Sequence, residues 1–477
     1  MISVLNGIFL FLKMTTIIKR TINNKLFLLL LFTAAFISCQ EPEIQPNTPA
    51  EPSDVKGSGI IGWIQEEMDI YYYWNSWMPD IDAQKITDPE TYFYKLLHAD
   101  DEFSWITDDA EKLLDETDGI IADLGYSPSF GRFSNTNGVF IMVEYVYKNS
   151  AASKAGLKRG DIILAINDTE LTMDNYLDLY NQDAYSVTLG KYENGSISMT
   201  SQKLSLSAMA LQMNPVLHWE TKTAGNTKIG YLAYAEFLSG TNDRWLDELG
   251  NALNEMKQQG VSELIIDLRY NAGGEVYAAR YLASAIAPKT AVEHHAVFVR
   301  FDYNEILQNF FLENEGQNSE NLFIRFNQNN VNMSLERVIF LTGPGTASAS
   351  ELLIKGLDPY MDVVTIGEKT VGKFYGSMVI TDENDPPAHN YAIVPVVLKY
   401  QNAEGFTDFI DGLAPDHAIF DDLLIAKPLG SSDDPMVAKA IELITGETVG
   451  RARISRSMDY IKLNDQEKIR KGNILIH

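Results

Sequence analysis

The sequence predicts a layered α/β protein: a parallel-sheet core, preceded by a small β-rich unit and, ahead of that, a helical one. Three patterns carry this expectation. From residue 228 buried-type strands alternate with amphipathic helices, the order that winds a parallel sheet. Between about residues 125 and 210 short apolar runs bounded by glycines and polar turns replace the helical period. From 57 to about 120 the apolar and aromatic residues recur at helical spacing. At 477 residues, 45% hydrophobic and 11% aromatic, the chain is long enough for two or three domains and a sizeable core.

The first 38 residues read as a secretory leader. Lys19, Arg20 and Lys25 precede the apolar run from Leu26 to Ile37, which is shorter than the roughly 20 residues a spanning helix needs. Met14 gives the leader an ordinary length and is the better start. Ser38-Cys39 after such a run resembles the bacterial lipoprotein lipobox. The likeness implies cleavage before Cys39, acylation of its thiol, and work in the bacterial cell envelope, on the periplasmic or surface face of the outer membrane. Cys39 is the chain's one cysteine, so neither a disulfide framework nor a thiolate metal site is available.

Residues 39–56 are rich in Pro and Glu and form a solvated tether. The formal charge is −27, and residues 1–38 carry four basic side chains and no acidic one, so cleavage makes it more negative. Such a chain repels nucleic acid and anionic lipid surfaces, which leaves acyl chains at Cys39 as the expected route to a membrane.

Residues 57–124 form the expected N-terminal helical domain, its stripe running through Trp63, Met68, Tyr71 to Trp74, Tyr92 and Phe93. In 125–210, Val139–Val143 and Ile162–Ile166 are strand-like and flank Ala151-Ala152-Ser153-Lys154-Ala155-Gly156-Leu157-Lys158-Arg159-Gly160-Asp161. A short helix ending at Gly156, a tight turn at Gly160 and an acidic residue opening the next strand resemble the PDZ signature. Residues 211–430 hold the α/β core: strands at Ile229–Phe237, Leu264–Leu268, Val338–Leu341 and Val363–Ile366, with helices at Val276–Ile286 and Ser350–Leu357 among them. The stretch 302–334, rich in Asn, Gln and Phe, interrupts this rhythm and reads as an insertion of uncertain structure. A C-terminal helix and tail take up 431–477.

Two small-residue turns end predicted core strands, where open α/β sheets bind ligands. Asp267-Leu268-Arg269-Tyr270-Asn271-Ala272-Gly273-Gly274 lets backbone N–H groups approach a ligand. In Gly343-Pro344-Gly345-Thr346-Ala347-Ser348-Ala349-Ser350-Glu351, Ser348 falls on the opening turn of a helix. There it serves either as a nucleophile beside an oxyanion-stabilising N-terminus or as a simple helix cap, and this segment alone does not choose. The seven histidines point to no base, His417 in Gly412-Leu413-Ala414-Pro415-Asp416-His417 being the best placed. Lysine is the remaining option, and Lys373 lies 25 residues after Ser348 with one strand between. Its loop, Gly367-Glu368-Lys369-Thr370-Val371-Gly372-Lys373-Phe374, nearly spells a Walker A motif. Phe374 stands where the Mg²⁺-holding hydroxyl belongs, which argues against ATP.

Asp-Leu-Arg-x-Asn-x-Gly-Gly, Ser-Ala-Ser-Glu, Gly-Glu-Lys-Thr-x-Gly-Lys and the late Gly412–Asp416 turn together resemble the C-terminal processing (tail-specific) peptidases. That family implies a ClpP/crotonase-like peptidase core with a PDZ domain and serine–lysine endopeptidase chemistry on extended protein or peptide substrates, with no metal or organic cofactor. By position the resemblance makes Ser348 the nucleophile, Lys373 the base, and the amides of Gly274 (or Gly273) and Ala349 the oxyanion donors. Ser350 is a rival nucleophile on another face of the helix. Many members carry a Gln four residues after the lysine; here it is Ser377, whose hydroxyl would orient the amine less rigidly. Gly125–Gly131 is not a standard carboxylate-binding loop. A lysine base near neutral pH must be enclosed, with Val371, Phe374 and Tyr375 the expected walls. The alternative from another class is a PDZ-containing peptide-binding or scaffolding lipoprotein that keeps the fold without turnover.

Overall fold

The computed structural model describes residues 59–117, 120–384, 386–447 and 457–463; the leader, Cys39 and the tether lie outside the described residues.

Helix α1 (Ile60–Tyr71) buries Ile61, Ile64, Met68 and Tyr71, the spacing of one helical face. Helix α2 (Pro89–Leu96) starts at proline under an Asp88 cap, whose carboxylate accepts the Thr91 N–H at 2.8 Å. Both helices pack into the same hydrophobic cluster as the core's Leu249, Phe298 and Leu398. Strand β1 (Trp105–Thr107) then adds antiparallel to core residues 392–394, and α3 (Ala110–Thr117) follows. The N-terminal helices are therefore built into the core rather than set apart from it.

Strand β2 (Ile120–Asp123) leads into β3 (Tyr126–Phe133), β4 (Val139–Val146), α4 (Ala151–Ala155), β5 (Ile162–Ile166), β6 (Thr169–Glu170), α5 (Tyr176–Tyr180), β7 (Ala184–Glu193) and β8 (Ser196–Ser207). The sheet runs β3-β4-β5-β7-β8, with β6 beside β5, over its own cluster of Phe130, Ile141, Ile163 and Val187. Helix α4 is capped by Ser150 and ends at Gly156, whose φ of 89° suits glycine. Strand β9 (Met209–Gln212) returns to pair with β2.

The core opens with the hairpin β10 (Val216–Ala224) and β11 (Thr227–Tyr234), and α6 (Arg244–Gln258) leads to β12 (Glu263–Asp267). Helices α7 (Val276–Ile286) and α8 (Lys289–Glu293) precede β13 (Val297–Tyr303), α9 (Glu305–Asn314), β14 (Phe323–Arg325) and β15 (Arg337–Thr342). Then come α10 (Ala349–Leu357), β16 (Asp362–Gly367), β17 (Tyr375–Ser377), β18 (Ile380–Thr381), β19 (Ala392–Val394), β20 (Val396–Asn402), β21 (His417–Ala418) and α11 (Pro435–Thr445). The main sheet runs β10-β11-β12-β15-β16-β21, parallel from β11 onward. Successive residues of its central strands serve opposite faces. Leu264 and Ile266 join the cluster of α6, α7 and α10, while Ile265 joins that of α11.

The stretch 302–334, whose structure the sequence leaves open, is regular over part of its length. It contains α9 and β14, and β14 joins β13, β20 and β17 in a second, four-stranded sheet. Its asparagines hold backbone: Asn304 caps α9 and donates to the carbonyls of Ile70 and Tyr72, and Asn332 donates to those of Ser284 and Ala287. Helix α10 begins at Ala349, one residue earlier than the hydrophobic period suggests, and β11 stops at Tyr234 rather than Phe237.

Candidate active site

The loop after β15 delivers Ser348 to the opening of α10. Thr346 fixes that loop, its hydroxyl accepting the Gly343 N–H at 2.9 Å and donating to the Leu268 carbonyl at 2.7 Å. Ser348 has φ 61° and ψ −116°, a conformation that strains a non-glycine residue and persists only where the surroundings impose it. Its N–H donates to Glu351 Oε2 at 2.8 Å, one half of a capping box. The reciprocal half is not made: Ser348 Oγ is buried and has no hydrogen-bond partner among the described residues. The hydroxyl of Ser350, the rival nucleophile, is committed to the Asn271 carbonyl at 3.0 Å.

Glu351 organises both chemical segments. Oε2 also accepts the Lys373 N–H at 2.9 Å, and Oε1 accepts Thr370 Oγ1 at 2.5 Å and the Gly372 N–H at 2.7 Å. Burial pushes this carboxyl up, and the four donors pull it back. Across from it, the Tyr400 hydroxyl lies 3.4 Å from the carbonyl oxygens of both Ser348 and Lys373. Two loops 25 residues apart are thus joined through one carboxylate and one phenol.

The Lys373 side chain is fully buried. Burial brings its amine down to about 7, against the pull of the Asp101 and Glu351 charges. Its Nζ lies 5.1 Å from the centre of the Phe103 ring, a wall supplied by the N-terminal segment. Asp101 is itself saturated, accepting the Tyr72 hydroxyl, the Phe103 and Ser104 N–H groups and the Ser104 hydroxyl. Of the expected walls, Phe374 is buried against Phe409 and Tyr375 is half-buried beside Trp74 and Phe103. Ser377 Oγ is buried and makes no hydrogen bond among the described residues, so the bond expected from it to the amine is not formed.

The glycine turn after β12 sits against the same centre. Asn271 anchors it, Nδ2 donating to the Tyr234 carbonyl at 3.0 Å and Oδ1 accepting the Gly273 N–H at 2.9 Å. The Asn271 carbonyl accepts the Ala347 N–H at 3.1 Å, which ties this turn to the serine loop. Gly273 is therefore spent locally, whereas the N–H groups of Gly274 and Ala349 donate to no acceptor among the described residues. Gly274 has φ 127°, and a Cβ there would lie 2.2 Å from the Phe237 carbonyl oxygen. Beneath the turn, buried Arg269 is clamped by Asp267 at 2.6 Å and by Asp421 and Asp434 at 2.9 Å.

Among the described residues no three His, Cys, Asp or Glu side chains are grouped to hold a metal, and no helix is long and apolar enough to cross a membrane. Sequence reasoning missed Asp101, Phe103 and Tyr400. Glu351 was legible through the Ser-x-x-Glu spacing of a capping box; the other three act across long sequence separations with no local signature.

Three family models match the chain: Peptidase family S41 over residues 228–419, the Peptidase S41 N-terminal domain over 59–105, and a PDZ domain over 142–189. The carboxyl-terminal-processing protease of Synechocystis sp. is 24% identical over 319 residues, 65% of this chain and 66% of the relative. The carboxy-terminal processing protease CtpB of Bacillus subtilis is 26% identical over 237 residues, 49% of this chain and 44% of the relative. The chain thus spans just under two thirds or less of the length of these relatives. A solved structure from Bacteroides fragilis NCTC 9343, assigned as an S41 protease, superposes with a TM-score of 0.67 at 25% identity, covering 85% of this chain and 99% of that one. With its core, N-terminal and PDZ segments all matched, the chain belongs to peptidase family S41.

Proposed function

We propose that this chain is a serine endopeptidase that cleaves extended proteins or peptides through Ser348 and Lys373, anchored in the bacterial envelope by a lipid on Cys39. The observation that carries the reading is a buried lysine amine brought down to about 7, its backbone hung from the same carboxylate as Ser348. At neutral pH such an amine is neutral in a useful fraction of molecules, as a general base must be. The amine takes the Ser348 proton as Oγ attacks the peptide carbonyl. The oxyanion rests on the N–H groups of Gly274 and Ala349, and the protonated amine gives its proton to the leaving nitrogen. Water then cleaves the acyl-enzyme by the same route. The PDZ domain presents the substrate as an added strand.

The test incubates the unmodified chain, Ser348→Ala and Lys373→Ala with an unfolded protein. Turnover is expected from the first alone, with losses of at least about a thousandfold in the others. Cleavage surviving both substitutions would sink the assignment. Labelling with palmitate, lost in Cys39→Ser, tests the anchor separately. One observation favours a second reading, a peptide-binding lipoprotein without turnover: Ser348 Oγ and Ser377 Oγ make no hydrogen bond among the described residues, so the serine and its base are not engaged with each other here. Michaelis complexes tighten such contacts, and a burst of acyl-enzyme with an activated ester separates the two readings.

A further inference from the structure

The free edge of the PDZ sheet is already taken by a segment from the other end of the chain. Strand β22 (Tyr460–Lys462) lies antiparallel to β3, with Tyr460 opposite Phe133, Ile461 opposite Arg132 and Lys462 opposite Gly131. The N–H of Leu463 extends the ladder onto the Phe130 carbonyl at 3.0 Å. Leu463 packs against the cluster that contains Phe130, and so do Tyr176, Leu179 and Tyr180 of α5. The Phe130 ring itself meets Tyr176 and Tyr180 at 5.3 Å. An extended segment on a sheet edge, with an apolar side chain turned onto the domain's own core, is the form in which a strand-adding domain takes a peptide.

The residues just before β22 fasten the segment to the peptidase core. The Ser457 N–H donates to Asp422 at 2.6 Å, and its carbonyl accepts the Tyr192 hydroxyl at 2.8 Å. Tyr460 and Met458 share a cluster with Phe140 of β4 and with Leu423 and Leu424 of the core. The segment both fills the PDZ edge and ties that domain down. Its three-residue strand makes few ladder bonds, so an incoming chain with a longer extended run can replace it.

We propose that residues 460–463 are an internal ligand of the PDZ edge. They hold the place of an external peptide, which must enter antiparallel to β3 with a large apolar side chain where Leu463 now sits. The inference rests on the proposed function only in that the edge receives peptides. Its readout is binding, so failure of catalysis leaves it standing.

The probe is the labelled peptide Ser-Met-Asp-Tyr-Ile-Lys-Leu, with a free carboxylate or an amide at its end. It is titrated by fluorescence anisotropy into the full chain carrying Cys39→Ser and Ser348→Ala, which removes the native thiol and any cleavage. Adding Ile461→Pro and Leu463→Pro deletes two strand N–H groups and should tighten binding about tenfold, because the competing internal strand is gone. Instead adding Phe133→Cys and Tyr460→Cys creates a cross-strand pair. Its oxidised form should refuse the peptide, and reduction should restore binding in the same molecules, which also controls for folding. Equal affinity with and without the prolines would overturn the proposal. So would binding to the oxidised pair, failure of the pair to oxidise, or absence of binding by every variant.

Discussion

Ser348 and Lys373 hang from a single oxygen, their N–H groups donating to Oε2 of Glu351 at 2.8 and 2.9 Å. The strained backbone at Ser348 is the companion of this arrangement, since the loop must turn its N–H into the same buried carboxylate that receives the lysine loop. In the proposed mechanism Glu351 touches no substrate and positions the two groups that do.

Glu351→Gln should therefore damage both stability and rate. A glutamine offers one acceptor oxygen, so two of the four donors would face an NH₂ group in a buried site. The loss of stability should be about 3 kcal/mol, read by urea unfolding. The kcat should fall at least about tenfold with KM nearly constant, because substrate contacts are untouched. Glu351→Asp should recover part of the kcat. A Gln variant with normal kcat would remove the positioning role.

In the proposed mechanism Lys373 links function to instability. Its amine sits near 7 in the folded chain and near its ordinary value, about 10.4, when unfolded. Between those values the unfolded chain holds a proton that the folded chain lacks, so stability rises with pH across the window. Below about 7 both states hold the proton and the full cost of burying it remains. That cost is about 5 kcal/mol, since each pH unit between the folded and unfolded values is worth about 1.4 kcal/mol. Lys373→Met should flatten the rise between pH 7 and 10 and leave the protein at least as stable at pH 7, while turnover vanishes. In the unaltered enzyme kcat/KM should climb through a midpoint near 7. Denaturant midpoints across pH, beside a pH–rate profile, check both.

How much of this was readable in advance depended on sequence distance. The strand–helix rhythm, the Gly156 cap and the turns carrying Ser348, Lys373 and Gly274 are written in adjacent residues, so local patterns disclose them. The walls around the lysine are not. Phe103 stands 270 positions before Lys373, in a segment whose aromatic spacing reads only as a packed helical face. The Asn-rich stretch at 302–334 stays undecided in sequence for a related reason. Asparagines that cap α9 and bind carbonyls of other helices look, in sequence, like loop composition.

Phe103→Ala tests the wall that sequence did not show. Removing the ring admits water beside Nζ, which weakens the desolvation that brings the amine down. The pH–rate midpoint should move up by about one unit, and stability should fall by about 3 kcal/mol for an aromatic lost from a buried position. Phe103→Leu should restore most of the stability and part of the midpoint. A midpoint unchanged in the alanine variant would mean that Phe103 shields nothing.

Gly274→Ala separates a strained glycine from a required close approach. At Gly274 both operate: φ is 127°, and the new Cβ would meet the Phe237 carbonyl oxygen at 2.2 Å, where neither partner is a flexible side chain. Gly195, in the turn between β7 and β8, has φ 83° with nothing within 4 Å of an added Cβ. Gly195→Ala should lose only about 1 kcal/mol, the conformational part, with cleavage unaffected. Gly274→Ala should lose more, because relieving the contact pushes the turn away from Phe237, just beyond β11, and carries the Gly274 N–H off the proposed oxyanion position. Cleavage should then fall at least about a hundredfold even under conditions where the variant is fully folded by circular dichroism. If folded Gly274→Ala protein cleaved at the normal rate, the oxyanion would have to be held by other donors, and the turn after β12 would be a structural hinge alone.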